Sequence, residues 1–301
     1  MATEFSSDVL GEVILLPGER LFPEGVTCTS DGTFFASSME EGCIVRATPG
    51  QRQAQYWIPP GSGGLVSVLG LWADEPRNLL WACSSDAGNG KLTGTAPVGV
   101  RVFDLQTGRP CAGYDFPGGG FANDLTIDLH GNMYVTDSWS PRILWLKAGG
   151  NYLDEWINDP QLGVEMWGLN GIDYDREHHA IYVLNQIKDE LWRIPIRPDG
   201  NPGAPVRIRT SLELRRPDGL KVIGPDTLAT SEAGAGGIAV IQVHGNEAEI
   251  RRVPAGLDLV TTFAYFRGSA WAVEGQAQHF WEPQKFGRDA RPPFRIVEVR
   301  L

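Results

Sequence analysis

Four oxygen-bearing side chains in this chain sit at matching places in four similar stretches: Glu24 in FPEGVTCTSDGTFFASS, Asn123 in FANDLTIDLHGNMYVTDS, Asn170 in LNGIDYDREHHAIYVLN and Asp218 in RPDGLKVIGPDTLATSE. Two carboxylates and two carboxamides form an all-oxygen set of formal charge −2. Brought to one point, the carboxylates would repel each other, and a hard divalent cation would remove that cost. Oxygen ligation makes calcium the first expectation, with magnesium, manganese or zinc as alternatives. Calcium takes about 6 to 8 ligands, so four side chains leave an open face for water or substrate, as a catalytic metal needs. Asn, Asp and Gly also mark ordinary loop-to-strand junctions. That accounts for one such residue better than for four at the same repeat position.

The elements that must position these residues follow from the repeat. Each stretch reads as strand, turn, strand, and VLGLWADEPRNLLWACSS and VTTFAYFRGSAWAVE are weaker copies. The equivalent opening positions are Glu24, Leu69, Asn123, Asn170, Asp218 and Thr261, spaced by 45, 54, 47, 48 and 43 residues. A period of about 45 fits a four-stranded propeller blade. The prediction is an all-β, six-bladed β-propeller with four-stranded blades around a central channel, one domain over residues 1–301. GVRVFDLQTG, RILWLKAGG, ELWRIPIRPDG and GIAVIQVHGN read as outer strands. VLGEVILLPG and PFRIVEVRL, near the two ends, are strand-like, and one of them, or both, is expected to complete the last blade. A β-sandwich with a second domain would not require the period. In a propeller the first strand of each blade lines the channel, so the opening residues converge on its top rim, with Leu69 and Thr261 leaving one side of it apolar.

The same topology places other residues on that face. Phe121, Trp139 and Trp167 are expected to form an aromatic wall over the metal, although blade packing would also use them. Ser38 to Gly42, Asn185 to Lys188 and Phe22 fall on the same side. An insertion over 89–98 (NGKLTGTAPV) explains the long second spacing and reads as a lid or a plain surface loop.

Composition narrows the partners. Hydrophobic residues make up 42% and charged residues 21% of 301 residues, with a net charge of −11. The acidic balance disfavours nucleic acid and anionic membranes; a small-molecule substrate is the expected partner. The first twenty residues lack a basic segment followed by an apolar run, so cytoplasm is the expected location. Cys28, Cys43, Cys83 and Cys111 have no CxxC spacing. They read as thiols rather than a zinc site, with a Cys28–Cys43 disulfide as the alternative. His130, His178, His179 and His244 fall in turns, and His279 in an outer part of the last blade. No GxSxG elbow is present. Neither Gly118-Gly119-Gly120 nor SEAGAGG has the strand-loop-helix context of a phosphate loop. Any proton acceptor must therefore come from the metal shell. Asp218 or Glu24 could act as base or nucleophile.

The four motifs, in this order and with their polar residues in register, resemble the senescence-marker-protein, gluconolactonase and luciferin-regenerating-enzyme family over roughly residues 15 to 300. The resemblance implies a six-bladed propeller with one catalytic divalent ion on Glu24, Asn170 and Asp218, with Asn123 binding the metal or its water and substrate. It implies hydrolysis of lactones or related esters, with Asp218 as base or nucleophile and Asn123 beside it as the second catalytic residue. Two departures matter. Sugar-lactone members carry an arginine where this chain has Phe121, which points to a less polar substrate. Fluorophosphatase-type relatives place a second-ion aspartate where this chain has Lys221, which points to a single ion, with the amine occupying the channel instead. The competing readings are a non-hydrolytic reaction on the same site (isomerase, lyase or condensing enzyme) and a non-catalytic calcium-binding protein.

Overall fold

Short strands with apolar side chains on both faces need a packed layer on each side. In strand Leu79–Ser85, Leu80 and Ala82 enter one buried cluster while Trp81 and Cys83 enter the next. Alternation with period two thus sends neighbouring residues into different cores. The computed structural model describes residues 9–86, 88–163, 166–287 and 289–301, and among these the strands form four four-stranded sheets and one of eight. The eight-stranded sheet is two antiparallel meanders joined where the outermost strands Val206–Thr210 and Glu247–Pro254 pair in parallel. The architecture is the predicted propeller of six four-stranded meanders, and six apolar clusters among the described residues each fill the space between one blade and the next.

The two strand-like ends do close the ring. Leu10–Leu15 is the outermost strand of the last blade and pairs antiparallel with Arg295–Arg300, Val13 opposite Val297. This removes an open edge and ties both ends of the chain into one blade. The segments read as outer strands are the third strands, for example Arg142–Leu146 and Glu190–Pro195. The outermost strands, such as Asp154–Asn158, follow them and are largely exposed, which is why their pattern is faint. All four cysteines are free thiols, so no Cys28–Cys43 disulfide is present. His279 lies in the short helix Gln278–Trp281, between the second and third strands of the last blade and therefore on the metal-site face, a correction to its expected outer position. No helix among the described residues is long and apolar enough to cross a membrane. Residues 1–8, part of the stretch read for a targeting signal, lie outside the described residues.

The channel is lined by Val26–Cys28, Ser67–Asp74, Ala122–Ile127, Leu169–Asp175, Pro217–Gly224 and Val260–Phe266. Five of these strands slip register at their start, and the slip encloses Leu69-Gly70, Asn123-Asp124, Asn170-Gly171, Asp218-Gly219 and Thr261-Thr262. Such a bulge re-aims a side chain and tightens the bend. In the first blade Glu24-Gly25 lies just ahead of the strand. The glycines are there because the blades touch. A Cβ on Gly25 would run into the Leu69 carbonyl, and one on Gly171 into the Asp218 carbonyl. Second-strand hydroxyls stitch three of the blades to the next: Ser85 Oγ donates to the Ala122 carbonyl (2.8 Å), Thr136 Oγ1 to that of Asn170 (2.9 Å) and Ser231 Oγ to that of Thr261 (2.7 Å).

Gly171→Ala should therefore cost about 1–3 kcal/mol by overpacking backbone against backbone. Urea unfolding at equilibrium measures it; an unchanged midpoint would contradict the close approach of the fourth and fifth blades.

Candidate metal centre and its cavity

The bulges bring the predicted ligands together. Glu24, Asn123, Asn170 and Asp218 are 7, 4, 7 and 6% exposed and line one space of about 10 Å³ at the top of the channel, enough for a single water-sized body. Two oxygens of the predicted ligands are unsatisfied, as is Asp124 Oδ2 beneath them, which lies 3.7 Å from the Lys221 amine. The Asn123 amide nitrogen donates to Ser138 Oγ (2.9 Å), which leaves its Oδ1 buried without a partner. Gln186 Nε2 donates to Asp218 Oδ2 (2.9 Å), which leaves Asp218 Oδ1 in the same condition. An orphaned buried acceptor costs free energy, and one cation would satisfy both atoms. The donor set is thus suited to a hard divalent ion. Among the described residues no three His, Cys, Asp or Glu side chains cluster for metal binding, so the candidate set depends on its two carboxamides.

The electrostatics agree. Burial pushes Asp218 up to about 7, reinforced by Asp124 and opposed by Arg216, Asn170 and Gln186. Burial also holds Glu24 well above the usual carboxylate range, with Asp218 and Asp124 adding to it and Lys221 opposing. Deeper in the channel, the Lys221 amine is 3.7 Å from Asp124 Oδ2 and borders the same small space. Burial raises the pKa of Asp173, and the Lys221 amine opposes that rise; the Asp173 carboxylate accepts from Thr126 Oγ1 (2.9 Å) and the Val222 N–H (2.7 Å). The amine therefore occupies the channel, as the Lys221 departure suggested.

Above the ring the four residues form the floor of a cavity of about 960 Å³. Phe121, Trp139 and Trp167 all line it, as do Leu69 and Thr261. The Phe121 ring lies 5.3 Å from that of Trp139 and 5.1 Å from that of Trp167. The Trp139 indole N–H is buried with no acceptor. Asn89, at the start of the 89–98 insertion, reaches the cavity. Of the other loops expected there, only Gln186 and Ile187 reach it; Phe22 is buried behind, 5.7 Å from Phe280.

Three lining residues escaped sequence reasoning. Trp281, 5.0 Å from Trp167, comes from the helical insertion in the last blade, whose two four-residue helices are too short to show a period. Gln186 sits in an expected loop, but nothing in sequence ties it to Asp218. Arg216 had a usable signal: it stands two residues before Asp218, the offset that singled out Phe121 before Asn123.

The family model described as the SMP-30/Gluconolactonase/LRE-like region matches residues 22–270. No curated protein matches the chain in sequence. Among solved structures, the major allergen Mala s 1 of Malassezia sympodialis is similar with a TM-score of 0.74 at 16% identity, covering 96% of each chain. The calcium-binding protein regucalcin from Agrobacterium tumefaciens has a TM-score of 0.70 at 15% identity, over 97% of this chain and 95% of that one. Virginiamycin B lyase from Staphylococcus aureus has a TM-score of 0.62 at 15% identity, over 96% and 98%. At these identities the structural likeness shows the fold.

In metal-free protein the native state holds a proton on Asp218 up to about pH 7, whereas an unfolded aspartate releases it at about 3.9. The native state binds more protons across that window, so stability should fall as pH rises through it. Chelated protein is expected to unfold at a lower temperature at about pH 8 than at about pH 5, and Asp218→Asn to flatten part of that fall. Added calcium should raise the midpoint more at the higher pH.

Proposed function

From the premise that the chain belongs to the SMP-30/gluconolactonase/LRE-like family, we propose that it is a divalent-metal-dependent hydrolase opening a lactone or related ester. The observation carrying this reading is the pair of buried, unpartnered oxygens, Asn123 Oδ1 and Asp218 Oδ1, on the floor of a ligand-sized cavity. Glu24, Asn123, Asn170 and Asp218 would hold one ion, calcium by its oxygen-only donor set. When bound, the ion supplies Lewis-acid polarisation of an ester carbonyl and neutralises the floor.

The chain's own residues supply the rest. Asp218 acts as base or nucleophile, and Gln186 fixes its orientation by holding Oδ2. Ser138, donating to the Leu169 carbonyl and accepting from Asn123, fixes the Asn123 amide so that its oxygen faces the floor. Phe121, Trp139, Trp167 and Trp281 form an apolar wall that excludes water and suits an aromatic or aliphatic substrate better than a polyol. No histidine lines the cavity among the described residues, which favours the carboxylate as proton acceptor.

Phe121 also favours a second reading, non-hydrolytic chemistry on an apolar substrate at the same centre. Regucalcin's description as a calcium-binding protein supports the ion in either case.

Hydrolysis of dihydrocoumarin and phenyl acetate, followed with calcium and after chelation, tests the proposal. Chelation should abolish turnover and calcium restore it, and Asp218→Ala should lower kcat/KM by about 10²–10⁴-fold. Full activity after either treatment would sink the hydrolase mechanism. Metal-dependent consumption of another substrate without release of acid would establish the second reading.

A further inference from the structure

We propose that the cavity selects ligands carrying an anionic group, a carboxylate in its simplest form, which Arg216 holds while the apolar body of the ligand rests on the aromatic wall. This rests on reading the cavity as the substrate site. The argument begins with the register of the repeat. The residues two positions before the six blade openings are Phe22, Ser67, Phe121, Gly168, Arg216 and Leu259, and only Arg216 is charged. Its side chain lines the cavity beside Asp218, and its charge opposes the rise of the Asp218 pKa.

The backbone of Arg216 is pinned. Its N–H donates to Asp189 Oδ1 (2.7 Å), and its carbonyl accepts from the Ala233 N–H (3.1 Å). Its φ of 51° lies in the left-handed region that a side chain disfavours, a conformation shared by Phe22 (43°) and Leu259 (55°) at the same register. Phe22 is buried in the core, whereas the Arg216 guanidinium has no hydrogen-bond or ion-pair partner among the described residues. A left-handed backbone kept at a pinned position, with an exposed side chain that forms no hydrogen bond or ion pair among the described residues, fits a ligand-holding role.

The neighbouring charges make Arg216 the exception. Lys285 pairs with Glu282 (3.1 Å), Lys221 lies below the ring facing Asp124, and Asp258 accepts from Gln278 (2.8 Å). Glu24 and Asp218 together would balance one divalent ion. Arg216 is then the one cation of the described lining without an ion-pair partner, in a chain of net charge −11. The adjoining loop, Ala233-Gly234-Ala235-Gly236, lines the cavity with small residues and leaves space beside the guanidinium. A planar fork of donors at the exposed edge of the cavity is matched by a carboxylate.

Calorimetric binding of 1-naphthylacetate and of its neutral isostere 1-naphthylacetamide to the calcium-loaded full chain tests the proposal. The acid should bind about tenfold more tightly than the amide, and added salt should narrow the difference. Arg216→Met should bring the ratio close to one. Arg216→Gly, which relieves the left-handed backbone, should do the same should the Met variant fail to fold. Equal binding of acid and amide by the wild type would overturn the proposal. So would a preference that survives both substitutions, since the anion would then be held by the metal or another group. The two readings fail separately. An intact acid preference without any ester turnover sinks the hydrolase alone, and turnover of neutral esters without acid preference sinks only the role of Arg216.

Discussion

The contact that the rest of this structure depends on is backbone against backbone around the channel. Six inner strands meet so closely that the residue after the opening position has little room for a side chain. Gly25, Gly70, Gly171 and Gly219 fill four of the six places, and each would collide with the following blade if it carried a Cβ. That proximity brings four opening side chains from four blades to a common point. It also explains why the bulge recurs: a regular strand would send successive side chains to opposite faces. The register slip instead lets the opening residue face the top of the channel while the strand continues into the core on both sides.

The second position is not glycine in two blades, Thr262 in the sixth and Asp124 in the third, and only Asp124 brings a charge. Asp124 follows Asn123 and lies buried under the ring, and the Lys221 amine answers it from the fifth blade. Glu24, Asp218, Asp124 and Asp173 give four carboxylates against one amine in the channel, a distribution that burial alone would penalise heavily. The amine opposes the cost of the lower pair without balancing both charges, and the upper pair is left for a cation. The single lysine therefore divides the channel into a lower part whose charge the protein partly offsets and a ring above it where no cationic side chain stands between Glu24 and Asp218 among the described residues.

The sequence displayed this arrangement unevenly, for physical reasons. Blade period, inner-strand openings and ring closure were legible because they depend on alternation and turn chemistry, which are local. The aromatic wall of Phe121, Trp139 and Trp167 was legible once topology fixed which loops share a face. Trp281 was not, since it reaches the wall from an insertion without blade pattern, and its helical turns, Gln278–Trp281 and Pro283–Phe286, have no periodic stripe. Gln186 was hidden because its partner, Asp218, lies 32 residues away and the bond depends on blade geometry. Outermost strands were faint because one face meets solvent and the other only an edge of the core.

The cavity is asymmetric for a reason that follows from the same division of labour. Its floor is fixed by the inner strands, where any added atom meets backbone. Its walls come from connections between strands, which tolerate replacement. The third, fourth and sixth blades contribute Phe121, Trp139, Trp167 and Trp281, and the fifth contributes Arg216 with a loop of alanines and glycines. One floor can therefore be combined with different walls, although Phe121 itself is fully buried and packs into the apolar cluster between the second and third blades. Phe121 and Arg216 occupy the same register in different blades, one two residues before Asn123 and the other two before Asp218. At this register the backbone is held above the ring while the side chain is packed in one blade, as Phe121, and exposed in another, as Arg216, so its chemistry can change without disturbing the ring beneath it.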